Sequence, residues 1–116
     1  MKNTHGVEES TDWHLGAALK LRAALKENGQ LSALRLAVRK RDWIIENHHF
    51  FGTDIRNWLR KNGYDEERLG IWNLDDHYIP VLLLAVGYEV KGGYTNQNLD
   101  NLHERLVTVT GRTIQD

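Results

Sequence analysis

No cysteine occurs anywhere in this chain. Disulfides and thiolate-bound metals are therefore excluded, and the fold must be held by packing and hydrogen bonding alone. Proline occurs once, at Pro80, so little interrupts helical patterns elsewhere. Neither charge sign predominates, with 15 Lys and Arg facing 16 Asp and Glu. That balance argues against a domain whose main partner is bulk nucleic acid, because phosphate contacts need a positive excess on some face. The longest apolar run, IPVLLLAVG, is about half the roughly 20 residues a membrane-spanning helix requires. The opening MKNTHGVEESTD is polar and acidic, unlike a secretory signal with its basic start and apolar core. These absences lead to the expectation of a soluble cytoplasmic protein with no membrane partner, metal or cofactor. At 116 residues the chain has room for one hydrophobic core.

What is present reads as helix. Residues 1–10 are expected to form a flexible leader and 11–113 a single helical domain. Ser10, Thr11 and Asp12 offer caps for WHLGAALKLRAALKEN, which stops at Gly29. Leu15, Ala18, Leu19, Arg22 and Leu25 recur at helical spacing and predict its inward stripe. A second helix is expected from about Ser32 to His48, with Leu34, Ala37, Val38, Arg41, Ile44, Ile45 and His48 or His49 facing in. Gly52 then breaks the pattern, and Thr53 caps a third helix, Asp54 to Asn62. Asp65 to Leu69 reads as a single turn closed by Gly70. Asp75 or Asp76 is expected to cap a fourth, central helix reaching about Val90; a strand through VLLLAVGYEV is the rival. Thr95 or Asn98 caps the last helix, with Leu99, Leu102, Leu106 and Val109 on one face. The expected fold is all-α, a compact bundle of about five helices.

The densest stretch is HHFFGTDIRNWLRKNG, His48 to Gly63. Arg56 lies among apolar neighbours Ile55 and Leu59, so its guanidinium is expected near buried surface, where a charge must be paired. Asp75 and Asp76 are the natural partners, joining the third helix to the fourth as a structural staple. The functional alternative makes His48, His49, Asp75, Asp76 and His77 an acid/base or metal site. Against it, His48 and His49 are adjacent and no metal-ligand signature spaces any of the six histidines. Arg35, Arg39, Lys40 and Arg41 form a basic ridge, followed by Arg60 and Lys61. Asp42 and Glu46 cancel part of its field. Of the four tryptophans, Trp58 and Trp72 read as core. Trp13 and Trp43, with Arg35, Arg39 and Lys40, are the candidate interface residues.

His48, Gly52, Ile55-Arg56-Asn57, Gly70-Ile71, Asp75-Asp76 and VLLLAV together resemble the signature of a family of small bacterial helical domains with no established activity. Its pattern runs H-F-G-x-G-x-x-I-R-N, a Leu-Trp pair, then Asp-Asp before an aliphatic helix. The resemblance covers residues 48–91. The chain departs from it at Phe50, in place of the first glycine, at His49, in the phenylalanine position, and in lacking a Leu-Trp directly after the triplet. The resemblance implies a small, mainly helical cytoplasmic protein and fits an arginine–aspartate staple.

With no catalytic signature, near-neutral charge and surplus aromatics, the chain is expected to be a non-enzymatic module that binds another protein, such as a bacterial or phage inhibitor or immunity-like factor. A small metal-dependent or acid/base enzyme is the first alternative. A nucleic-acid binder using the basic ridge is the second.

Overall fold

A computed structural model describes residues 12–40, 42–90 and 106–108. Among these, six α-helices precede a two-stranded antiparallel ribbon: α1 (His14–Glu27), α2 (Leu31–Ala37), α3 (Trp43–Glu46), α4 (Phe51–Lys61), α5 (Glu66–Leu69), a 3-10 turn (Leu74–Asp76), α6 (Tyr78–Ala85), β1 (Tyr88–Val90) and β2 (Leu106–Thr108). The all-α architecture expected from the periodicity is the one observed. The leader 1–10 lies outside the described residues, as does the far limit at 113.

α6 is the axis of the core. Tyr78, Ile79, Val81, Leu82, Leu83 and Ala85 are all buried, so the helix is covered nearly all round, as its apolar sequence requires. Pro80 sits in its first turn, where a missing N–H breaks no intrahelical bond. α1 packs against it through Ala17, Ala18 and Leu21. The buried face of α1 is His14, Ala17, Ala18, Leu21, Arg22 and Leu25, rotated from the expected stripe, and Leu15 and Leu19 are exposed. This helix is apolar over more than one face, so periodicity alone did not fix which side turned inward. Two small alanines, Ala17 and Ala18, both fully buried, lie on the face that turned inward.

The helix expected from Ser32 to His48 is two. α2 ends at Ala37 and α3 begins after Asp42, whose φ of 66° is left-handed. On one unbroken helix Ile45 would share the face of Leu34 and Val38, with Ile44 about 100° round. The break reverses that choice, burying Ile44 and leaving Ile45 partly exposed. α4 starts at Phe51, ahead of the expected cap at Thr53, so Gly52 lies inside the helix and does not break it.

Neither aspartate caps the fourth long helix. Asn73 caps the 3-10 turn, accepting from the Asp75 N–H at 2.9 Å, and His77 occupies the N-cap of α6. That helix stops at Ala85, short of Val90, because Gly87 turns the chain at φ 92°. Two guanidinium groups then close its C-terminus. Arg22 donates to the Ala85 carbonyl and Arg35 to that of Val86, both at 2.9 Å. Cations at the negative end of a helix satisfy carbonyls that have no intrahelical partner. The segment after Gly87 is β1, so the helix and strand readings of 79–90 each describe part of it. β1 pairs with β2 in the register Tyr88 to Thr108, Glu89 to Val107 and Val90 to Leu106. Leu106 is thus a strand residue, not part of the final helix expected up to Gly111. The rest of that range, 91–105 and 109–116, lies outside the described residues.

Candidate functional site

Two polar clusters and one apolar groove are the features with chemistry to offer. The first cluster joins α4 to the start of α6. Arg56 Nε lies 3.1 Å from Asp75 Oδ1, with the arginine side chain 11% exposed and the aspartate 54%. Arg56 Nη2 donates to Thr53 Oγ1 at 2.9 Å, and Thr53 in turn donates to the His49 carbonyl at 3.0 Å. The guanidinium carbon sits 5.1 Å from the centre of the Tyr78 ring, a cation–π distance. Arg56 Nη1 is buried with no hydrogen-bond partner among the described residues. The Tyr78 hydroxyl is 2.7 Å from His48 Nδ1.

Gly52 makes this arrangement possible. A Cβ there would stand 2.7 Å from Tyr78 Oη and 3.2 Å from Arg56 Nη1. Only a residue without a side chain lets α4 come this close. Burial pushes the Tyr78 phenol up to about 12, with Arg56 opposing and Asp75 reinforcing the shift. Burial lowers the pKa of His48, and neighbouring Arg56 lowers it further while Asp75 opposes. Both groups are therefore neutral at pH 7, held by their mutual hydrogen bond.

The second cluster lies where α1 meets α6. His14 Nε2 is 2.9 Å from His77 Nδ1, and both rings are buried at 8% and 5% exposure. Trp13 is edge-on to His14 at 4.6 Å, 5.4 Å from the His77 ring and stacked on Tyr64 at 5.8 Å. Its indole Nε1 is buried without a hydrogen-bond partner among the described residues. Lys20 approaches the outer side of Tyr64 at 5.8 Å.

These positions separate the expected acid/base set. His48 and Asp75 flank the first cluster and His49 is exposed, whereas His77 is buried against His14. His77 and Tyr78 are neighbours about 100° apart round α6, so their side chains serve opposite partners. No group of three or more metal-ligating side chains occurs among the described residues. The Asp76 side chain, His5 and His103 lie outside what is described.

The tryptophans are placed differently from the expectation. Trp72 is 51% exposed. Trp13 and Trp43 are half-buried and pack against the core, Trp43 meeting the Phe51 ring at 5.7 Å. Trp58 also packs on the core. The ridge is thinner than its sequence, because Arg35 is turned onto the end of α6. Arg60 pairs with Glu66 at 2.8 Å and with Asn57 Oδ1 at 2.8 Å, which lowers the Glu66 carboxyl pKa. Arg39, Lys40 and Lys61 are exposed, and Arg41 lies outside the described residues.

The groove, about 190 Å³, runs between the end of α1, α2 and the start of α4. It is lined by Leu25, Gln30, Ala33, Leu34, Ala37 and Phe51. Beside it in the chain stand the exposed Leu36 and Phe50, the latter at 76%. Sequence reading missed this surface because Ala33 and Ala37 carry no signal beyond helical propensity. It missed His14 because that residue's partner is 63 positions away.

Compared with protein-family models, curated proteins and solved structures, the chain matches none, so its chemistry has to be read from its own residues. No helix among the described residues is long and apolar enough to cross a membrane.

Proposed function

We propose that this chain is a non-enzymatic, cytoplasmic protein-binding module that receives an apolar helical segment of another protein in the groove between α1 and α2. One observation carries the reading. An apolar concavity lined by Leu25, Ala33, Leu34, Ala37 and Phe51 is accompanied by exposed Phe50 and Leu36. Aromatic and aliphatic anchors around a concave apolar floor are the form in which helix-in-groove recognition is built. The small side chains of Ala33 and Ala37 leave room for a partner backbone. An inhibitor or immunity-like factor of bacterial or phage origin fits such a module.

The competing readings draw less support. An acid/base role keeps His48, oriented by Tyr78, and Asp75, but the aspartate is paired to Arg56 and His77 is turned away. Nucleic-acid binding keeps Arg39, Lys40 and Lys61, with Asp42 and Glu46 exposed beside them. The deciding experiment is capture of partners from source-organism lysate on immobilised protein, comparing the natural chain with Ala33→Glu and Phe50→Ser variants of matched helicity. The reading expects a stoichiometric protein lost from both variants. A partner held equally by all three chains, or only nucleic acid released by salt, sets it aside.

A further inference from the structure

We propose that Asn28 is a site of spontaneous self-modification, where the Gly29 backbone nitrogen closes on the Asn28 carboxamide and isoaspartate results. This holds whether or not the groove binds a partner. Asn is followed by Gly at two places in the chain, Asn28-Gly29 and Asn62-Gly63. Glycine favours the reaction because no Cβ shields its nitrogen or crowds the ring that forms. Gly29 N attacks Asn28 Cγ, and Nδ2 leaves as ammonia, taking up through solvent the proton that Gly29 N gives up. Water then opens either carbonyl of the resulting succinimide, leaving an isoaspartyl linkage or an ordinary aspartate. The balance is one water consumed, one ammonia released and one carboxylate gained.

The fold separates the two sites. Their backbones match: each Asn is the C-cap of its helix, at φ −87° and ψ 1° for Asn28 and φ −100° and ψ 17° for Asn62. Each Gly follows in left-handed geometry. Gly29 N–H donates to the Lys26 carbonyl at 3.1 Å and Gly63 N–H to that of Arg60 at 3.3 Å. In both, the last helical turn must open before attack, and helix ends fray readily. The side chains differ. Asn62 is half-buried, and its Nδ2 donates to the Trp58 carbonyl at 2.8 Å, which holds the leaving group against α4. Asn28 is exposed, and its carboxamide has no hydrogen-bond partner among the described residues. A Cβ on Gly63 would lie 3.4 Å from Arg68 Nη1, whereas one on Gly29 would meet nothing within 4 Å. The ring therefore has open space at Asn28 and neighbours at Asn62.

The place of the turn gives the modification its reach. Gln30 N–H donates to the Leu25 carbonyl at 2.8 Å across it, and Leu25 and Gln30 both line the groove. Isoaspartate adds a methylene to the main chain between these two residues and sets a carboxylate at the negative end of α1. Both changes oppose the turn that fixes the α1 wall of the groove against its α2 wall.

The test ages the full chain in mildly alkaline buffer, folded and in guanidinium, and follows both sites by mass spectrometry. Tryptic peptides 27–35 and 62–68 report them separately. A fresh sample carried through the same digestion corrects for conversion during handling. In the folded chain Asn28 should convert about fivefold faster than Asn62, the factor given by the net contribution of one hydrogen bond. In guanidinium the two rates should converge, since only sequence neighbours act there. In the aged form, separated by its extra negative charge, the Gln30 amide should exchange faster than in the fresh chain. Equal rates in the folded chain, or Asn62 ahead, would overturn the proposal. So would a folded chain in which neither site converts while the unfolded chain does. An unchanged Gln30 amide would refute the effect on the turn.

Discussion

Two consecutive residues, His77 and Tyr78, sit in polar clusters that solve the same problem differently. On the α4 side a charge is buried and answered: Arg56 is largely covered, with Asp75 at its edge and the Tyr78 ring beneath it. On the α1 side two buried imidazoles meet, His14 Nε2 lying 2.9 Å from His77 Nδ1. Burial, with His77 beside it, lowers the His14 pKa from 6.5 to about 4. The comparison teaches that a buried polar side chain can be held either by an ion partner at the rim or by a second ring in the interior.

The largest expected effect is acid destabilisation through His14. A shift from 6.5 to about 4 amounts to about 3 kcal/mol, present above pH 6.5 and lost progressively as pH falls to about 4. Denaturant midpoints at several pH values measure it, and a flat profile would erase the distinction between the clusters. Next is Gly52→Ala. Its Cβ would meet Tyr78 Oη at 2.7 Å and Cζ at 2.9 Å, so α4 must move, at about 2 kcal/mol despite the better helix propensity of alanine. Thermal unfolding reads this directly; a more stable variant would mean the two helices are not held at this spacing.

The ion pair comes third, and its two halves are unequal. Asp75→Ala strands a guanidinium that is 11% exposed, whereas Arg56→Met leaves behind a carboxylate that is 54% exposed. The first should cost about 2 kcal/mol and the second under about 1 kcal/mol. Equal losses would show that the pair acts through packing alone. The sequence placed the guanidinium near buried surface, and the arginine is indeed the covered half of the pair. Fourth, Tyr78→Phe removes the partner of His48 Nδ1 and should cost about 1 kcal/mol. It should also move the titration of His48, which NMR can follow. The smallest effect is Phe50→Ser, within about 0.5 kcal/mol on stability because the ring is 76% exposed.

Much of the local architecture was readable from the residues. Gly29 and Gly70 close their helices in left-handed geometry, and Asp65 caps the single turn that Gly70 ends, accepting from the Arg68 N–H at 2.8 Å. Each signal lies within a few residues of the feature it controls. Trp72 was misplaced because its aromatic content says nothing of the turn that carries it outward. Arg35 was counted in a solvated ridge, although its guanidinium reaches a carbonyl 51 residues away. In the candidate site the proximity of Arg56 to Asp75 was legible from charge and burial. The roles of Tyr78, Thr53 and Gly52 were not, since they depend on the spacing of two helices.

The sequence by itself determined that this would be a cysteine-free helical chain, where several helices stop, and that the apolar run after Asp75-Asp76 would be central, because turns, caps and hydrophobic content act over short distances. Only the tertiary structure decided which face of α1 is buried, which arginines close α6, and that His77 meets His14 while Tyr78 meets His48. Those outcomes arise from packing between segments dozens of residues apart, where a rotation of one residue exchanges a solvent-facing side chain for a buried one.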